Sequence, residues 1–131
     1  MGPVNWLAVA LATLAFFAVG ALWYGVLFGK VWQREVGFSD APRGGAMARV
    51  MLGTLLAEFL IAATLGHLFA RTGPSVYAIW MMSLGFALTV MTPAIAINYL
   101  HQRRSLTLFA IDAGHFVAGM AAVAAVFSAL A

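Results

Sequence analysis

Four long apolar runs constrain this chain before anything else does: Val4–Phe28, Val50–Phe69, Val76–Tyr99 and Leu106–Ala131. A hydrocarbon core about 30 Å thick takes about 20 residues of helix to cross, and each run reaches that length. Burying all four inside a soluble domain would need a large polar shell. Only 8% of the residues are charged and 64% are hydrophobic, against about 25% charged in a soluble domain. The first run has no basic segment before it and is too long for the apolar part of a signal peptide. The fold expected is therefore all-α: a single polytopic membrane domain over 1–131, with four transmembrane helices in an up-down bundle.

The connections give a direction. Lys30, Arg34, Arg43 and Arg49 lie between the first and second spans, Arg103 and Arg104 between the third and fourth, and only Arg71 between the second and third. By the positive-inside rule, loop 29–49 and the "HQRRS" turn are expected in the cytoplasm, with both termini on the other side of a bacterial inner membrane. Trp6, Tyr77 and Trp80 then fall near the outer interface, and Trp23, Tyr24 and Tyr99 near the inner one. Those depths suit rings that have a polar handle.

Within the first loop, "FGKVWQREVGF" reads in two ways. One is a short interfacial helix ended by Gly37, with Trp32 and Val36 toward lipid and Lys30 and Arg34 toward headgroups. The other is an ordinary loop around a buried tryptophan. "SDAPRGG" reads as a joint into the second span. In the fourth span, small residues recur four apart at Ala110, Gly114, Ala118 and Ala122, beside a stripe of Ala121, Ala125 and Ala129. Such stripes let helices approach closely in lipid, so this span is expected to be interior or at a subunit interface. Trp23, Tyr24 and Trp32 are further interface candidates. Pro93 removes a backbone donor and crowds the Thr89 carbonyl, which predicts a kink and a candidate gate in the third span.

The intramembrane ionisable residues carry the chemistry. At 1.5 Å per residue, Asp112 lies about 9 Å and His115 about 14 Å from the start of the fourth span, and Glu58 lies about 12 Å along the second. Asp112 and His115 are three apart and share a helix face. Isolated charges at such depth are costly, so the three are expected to meet as a proton- or ion-relay set, with Asn98 above them. The competing reading makes them interhelix hydrogen-bond clips. His67, nine residues beyond Glu58, points elsewhere.

No catalytic set, metal site or cofactor is predicted. Cysteine is absent, and Ser83, Ser105 and Ser128 show no nucleophile turn. No phosphate loop or dinucleotide fingerprint occurs. Glu58, Asp112 and His115 are possible zinc-ligand types, but only two helices supply them and no supporting partner is legible. The few basic residues lie in short loops, which gives nucleic-acid binding no support. The second and fourth spans each carry an acid at similar depth, a slight hint of a parallel repeat.

"GALWYG" at Gly20–Gly25, "LFGKVW" at Leu27–Trp32 and "DAG" at Asp112–Gly114 resemble a family of small bacterial membrane proteins catalogued as domain of unknown function 1761. The resemblance implies four spans and a bacterial origin. It supplies no activity, substrate or cofactor.

Two functions are expected. The first is a homo-oligomeric path for protons, ions or small solutes, with Asp112 and Glu58 binding the cation and His115 tuning them. The second is an accessory or assembly subunit of a larger membrane complex. An enzyme is the less favoured class. The lipid bilayer is the expected surrounding in either case.

Overall fold

The computed structural model describes residues 2–37 and 42–131. Helix α1 (Trp6–Leu22) starts where the Asn5 side chain accepts from the Ala8 N–H at 3.0 Å. It runs into a π-turn, Trp23–Leu27, in which the Phe28 N–H donates to the Trp23 carbonyl five residues back. Helix α2 (Gly29–Val36) follows and stops at Gly37, whose φ of 91° is the left-handed conformation that glycine adopts without steric cost. The helix reading of the first loop therefore holds. Of the joint expected at Ser39–Gly45, residues 39–41 lie outside the described residues.

Helix α3 (Gly44–Thr72) begins ahead of Val50. Its opening turns carry Gly, Ala, Met and Arg and extend the helix beyond the apolar stretch. Helix α4 (Val76–Phe86) is capped by Ser75. It passes through a second π-turn, Ala87–Met91, into α5 (Thr92–Gln102). This wide turn lies where Pro93 would otherwise crowd the Thr89 carbonyl. The Thr92 backbone N–H reaches back five residues to the Ala87 carbonyl, and the Thr92 hydroxyl donates to the same oxygen at 2.8 Å. Helix α6 (Leu106–Ala129) starts at Ser105, which caps the Leu108 N–H at 3.0 Å. Among the described residues, four helical stretches are long and apolar enough to cross a membrane: Trp6–Leu27, Gly44–Thr72, Val76–Gln102 and Leu106–Ala129. No strand occurs among the described residues.

The bundle is built around α6, with α1 on one side and α4–α5 on the other, while α3 packs against α1. Glycines set the closest approaches. A Cβ at Gly119 would lie 2.3 Å from the Phe16 ring, and one at Gly114 would lie 2.9 Å from the Trp23 indole. Gly66 of α3 meets Val9 in the same way. Around these contacts Val9, Ala12, Phe16, Leu65, Met120 and Val123 form a solid core, with Phe69 edge-on to Phe127 at 5.1 Å between ring centroids. The core occupies the half of the bundle that holds the α3–α4 turn and the two ends of the chain. Exposed residues include Leu7, Leu14, Leu52, Leu56 and Leu88, as expected when the surroundings are hydrocarbon rather than water. Thr13, Thr64, Thr72 and Thr89 each donate to the carbonyl four residues back, so their hydroxyls are satisfied within their own helix.

Replacing Gly119 with Ala should destabilise the protein by about 1–3 kcal/mol, because the buried Phe16 ring has nowhere to move. Gly85→Ala adds a methyl group into open space and should cost nothing. Equilibrium unfolding of the two variants in mixed micelles checks the contrast.

Candidate functional site

In the other half of the bundle the helices separate. The stretch of α3 from Met47 to Glu58 faces α5 across a gap, and between them lies a cavity of about 810 Å³. Its floor and walls come from the end of α1 (Phe17, Gly20, Ala21), from the π-turn after it (Tyr24) and from α6 (Asp112, His115, Phe116). Helix α5 adds Ile95, Asn98 and Tyr99, and α2 covers one side with Trp32 and Gln33. The α3 wall is a single stripe, Met47, Val50, Met51, Thr54 and Glu58, at the spacing of one helix face.

The first π-turn aims the α1 side chains at α6. A turn of five residues sweeps less angle per residue than an α-turn, so consecutive side chains can serve one neighbour. Trp23 donates its indole N–H to the Ile111 carbonyl at 2.8 Å, and Tyr24 donates its hydroxyl to Asp112 Oδ1 at 2.5 Å. Gly29 ends the widened segment, and a Cβ there would fall 2.2 Å from the Tyr24 carbonyl oxygen. Tyr99 of α5 donates its hydroxyl to the other carboxylate oxygen, Asp112 Oδ2. Asp112 thus joins α1, α5 and α6 through two phenols.

The relay candidates share this cavity but divide into two kinds. Asp112 has both oxygens engaged. Glu58 is 3% exposed and its Oε2 has no hydrogen-bond partner; His115 is 6% exposed and its Nε2 has none. The imidazole stands edge-on to Phe16 and Tyr24, with centroids 5.6 and 5.0 Å away, and abuts Gly20. Asn98 lines the cavity near its mouth. His67 is elsewhere, with Nδ1 2.8 Å from the Ala63 carbonyl oxygen and its ring edge-on to Trp6. Among the described residues, no three histidine, aspartate or glutamate side chains converge as metal ligands would.

The remaining candidates are placed as follows. Trp32 lines the cavity, its ring edge-on to Tyr24 at 5.7 Å. That corrects the lipid-facing orientation expected for an interfacial helix: Lys30 and Arg34 are exposed, but α2 turns its tryptophan inward. A hydrogen bond from the Ser105 hydroxyl to Glu35 Oε2 at 2.8 Å ties α2 to the start of α6. Gly114 receives the Trp23 ring. Ala118 is half-buried and lies outside the cavity wall, and Pro93 precedes the lining residue Ile95 by two positions. Sequence reasoning read Tyr24 and Tyr99 as interfacial aromatics and missed their hydroxyls as the partners of Asp112. Their depth, near the same membrane face as the start of α6, was the available signal.

A family model described as "Protein of unknown function (DUF1761)" matches residues 7–128. The chain belongs to that family. No curated protein and no solved structure gives a match. Family membership adds no activity, but the three segments that carry the resemblance meet in space. Trp23 and Tyr24, Trp32, and Asp112 with Gly114 surround one end of one cavity.

Tyr24→Phe and Tyr99→Phe should each cost about 0.6–1.7 kcal/mol, the range for interhelix hydrogen bonds in membranes. Because the two share one carboxylate, the double variant should depart from the sum of the singles. A double-mutant cycle of unfolding free energies measures that coupling.

Proposed function

We propose that this membrane protein binds a small solute in the half-bundle cavity and takes part in moving it across the bilayer. One observation carries the reading. Glu58 and His115 each bury a polar atom without a partner, in the wall of a cavity large enough for a ligand. Leaving such an atom unsatisfied costs about 1–3 kcal/mol. A residue kept only as an interhelix clip would have something to clip, as Asp112 does. In this division of labour Glu58 and His115 meet the solute, and Asp112 holds Tyr24 and Tyr99 in the wall.

Toward the chain ends the cavity is backed by the layer of Phe16, Met120 and Val123. A fixed pore through one copy has no route past that layer. Passage therefore requires either rearrangement, for which the π-turns at Trp23–Leu27 and Ala87–Met91 provide weak points, or assembly of several copies. Six of the seven basic residues, all but Arg71, fall between the first and second spans as read from the sequence or between the third and fourth, at the cavity end. The positive-inside rule thus favours a mouth facing the cytoplasm of a bacterial inner membrane. An accessory subunit of a larger complex remains the rival role, and it gives the unpartnered pair no task.

Two measurements test the reading. Glu58→Met should leave stability unchanged or raise it, since it replaces an unsatisfied buried carboxyl with an apolar side chain of similar size. A loss of about 0.6–1.7 kcal/mol would mark Glu58 as a clip and sink the proposal. The natural absence of cysteine makes the second test clean. Thr54→Cys and Asn98→Cys should react with a membrane-impermeant maleimide in inside-out vesicles and resist it in right-side-out ones. Ala62→Cys, in the solid half, should resist in both. Equal labelling of the two cavity positions from both sides would contradict a blind, one-sided cavity.

A further inference from the structure

We propose that the solute is a protonated lipophilic amine, its ammonium group seated at Glu58 and its apolar body lying in the seam between α3 and α4–α5. This rests on the reading of the cavity as a solute site and adds the chemical class of the solute.

The charge of the wall selects the head group. Among the described residues, the cavity is lined by Glu58, Asp112 and His115 and by no lysine or arginine. Asp112 is occupied by two tyrosine hydroxyls, which leaves the Glu58 carboxyl as the acid without a partner. Glu58 Oε2 and His115 Nε2 are covered as well as unpartnered. A rotation of either side chain toward the cavity presents an acceptor, for His115 in the tautomer protonated at Nδ1, and an ammonium group has N–H donors to give. An anionic solute would add its charge to a wall that already holds Glu58 and Asp112, with no lysine or arginine among the described lining residues to offset it. A neutral one would gain nothing from the charge the carboxyl can carry. Phe17, Tyr24, Trp32 and Phe116 stand in the same wall, and aromatic faces attract cations at such positions.

The seam selects the body. Val50 and Met51 line the cavity yet remain 47% and 40% exposed, so the cavity is open sideways along α3. Beyond Glu58 the separation continues as a second hollow of about 250 Å³, lined by Leu60, Ile61 and Leu65 against Phe86, Val90 and Met91. Its lining is apolar except for Thr64. On α3 the lining of the second hollow follows Glu58 within two turns and is hydrocarbon but for Thr64, whereas the first hollow carries Thr54, Asn98 and Tyr99 beside Glu58. The first is within the size range of small-molecule sites.

The test uses the full chain in phosphatidylcholine nanodiscs and three probes of matched shape: 4-phenylbutylamine, 4-phenylbutan-1-ol and 4-phenylbutyrate. Equilibrium dialysis against empty nanodiscs subtracts partitioning into lipid. The amine should bind saturably and about tenfold or more tighter than the alcohol, as expected for a charge-assisted contact, and the carboxylate should not saturate. Glu58→Gln keeps size and hydrogen-bonding capacity. It should bring the amine down to the affinity of the alcohol without changing the latter. Ile95→Trp fills the seam from the α5 side and should weaken amine and alcohol alike. An amine preference that survives Glu58→Gln, or a preference for the carboxylate, overturns the assignment of the solute while leaving a solute cavity in place. Binding unaffected by Ile95→Trp overturns the seat in the seam. Saturation by none of the three probes overturns both the amine and the cavity reading on which it rests.

Discussion

The packing of α1 on α6 through missing side chains is the contact on which the rest of the molecule depends. In lipid no hydrophobic effect draws helices together, and association relies on close van der Waals contact and interhelix hydrogen bonds. Phe16 over Gly119 and Trp23 over Gly114 supply the first, and the Trp23 indole on the Ile111 carbonyl supplies the second. With that pair fixed, α3 has a surface to lean on and α4–α5 has the other side of α6. Nothing comparable joins α3 to α5. The cavity is the space left because one helix pair packs tightly and the pair diagonal to it does not. The slight repeat suggested by the two acids does not extend to this packing.

Within that frame the polar residues separate into holders and waiters. Asp112 is the holder: its two oxygens take one phenol from α1 and one from α5, so three helices share one group. Glu58 and His115 are more deeply buried than Asp112 and have no such engagement. Ser83 and Ser128 also bury a polar atom, the hydroxyl oxygen, without a partner, but among the described residues only Glu58 and His115 do so in the cavity wall. They become intelligible if the partner comes and goes.

Much of the architecture was legible in the sequence because the bilayer imposes so strong a length requirement. Four apolar runs give four helices, Gly37 ends α2, and the proline at 93 marks a disturbed turn. The meeting of Glu58, Asp112 and His115 around one space also followed from helical rise and depth. What the sequence left hidden was side-chain direction. The π-turn at Trp23–Leu27 rotates Trp23 and Tyr24 together onto α6, and no periodicity argument anticipates a five-residue turn. Trp32 faces inward because Tyr24 is there to meet it, a contact between segments that hydropathy treats separately. Gly119, outside the four-residue stripe of Ala110, Gly114, Ala118 and Ala122, is the glycine under the largest buried ring. Small-residue spacing in an alanine-rich helix does not reveal which small residue faces a neighbour.

The larger of the two gaps lies in one half of the bundle and gives the molecule an uneven outline in the bilayer plane. In one leaflet its cross-section is a nearly filled disc, broken only by the small hollow between α3 and α4, and acyl chains pack around it almost as around a smooth inclusion. In the other leaflet the disc is notched between α3 and α5, and chains at that edge meet a concave wall. The two leaflets therefore have boundary shells of different shape and order around the same protein. Through that asymmetry, lateral pressure and monolayer bending become forces on the width of the notch.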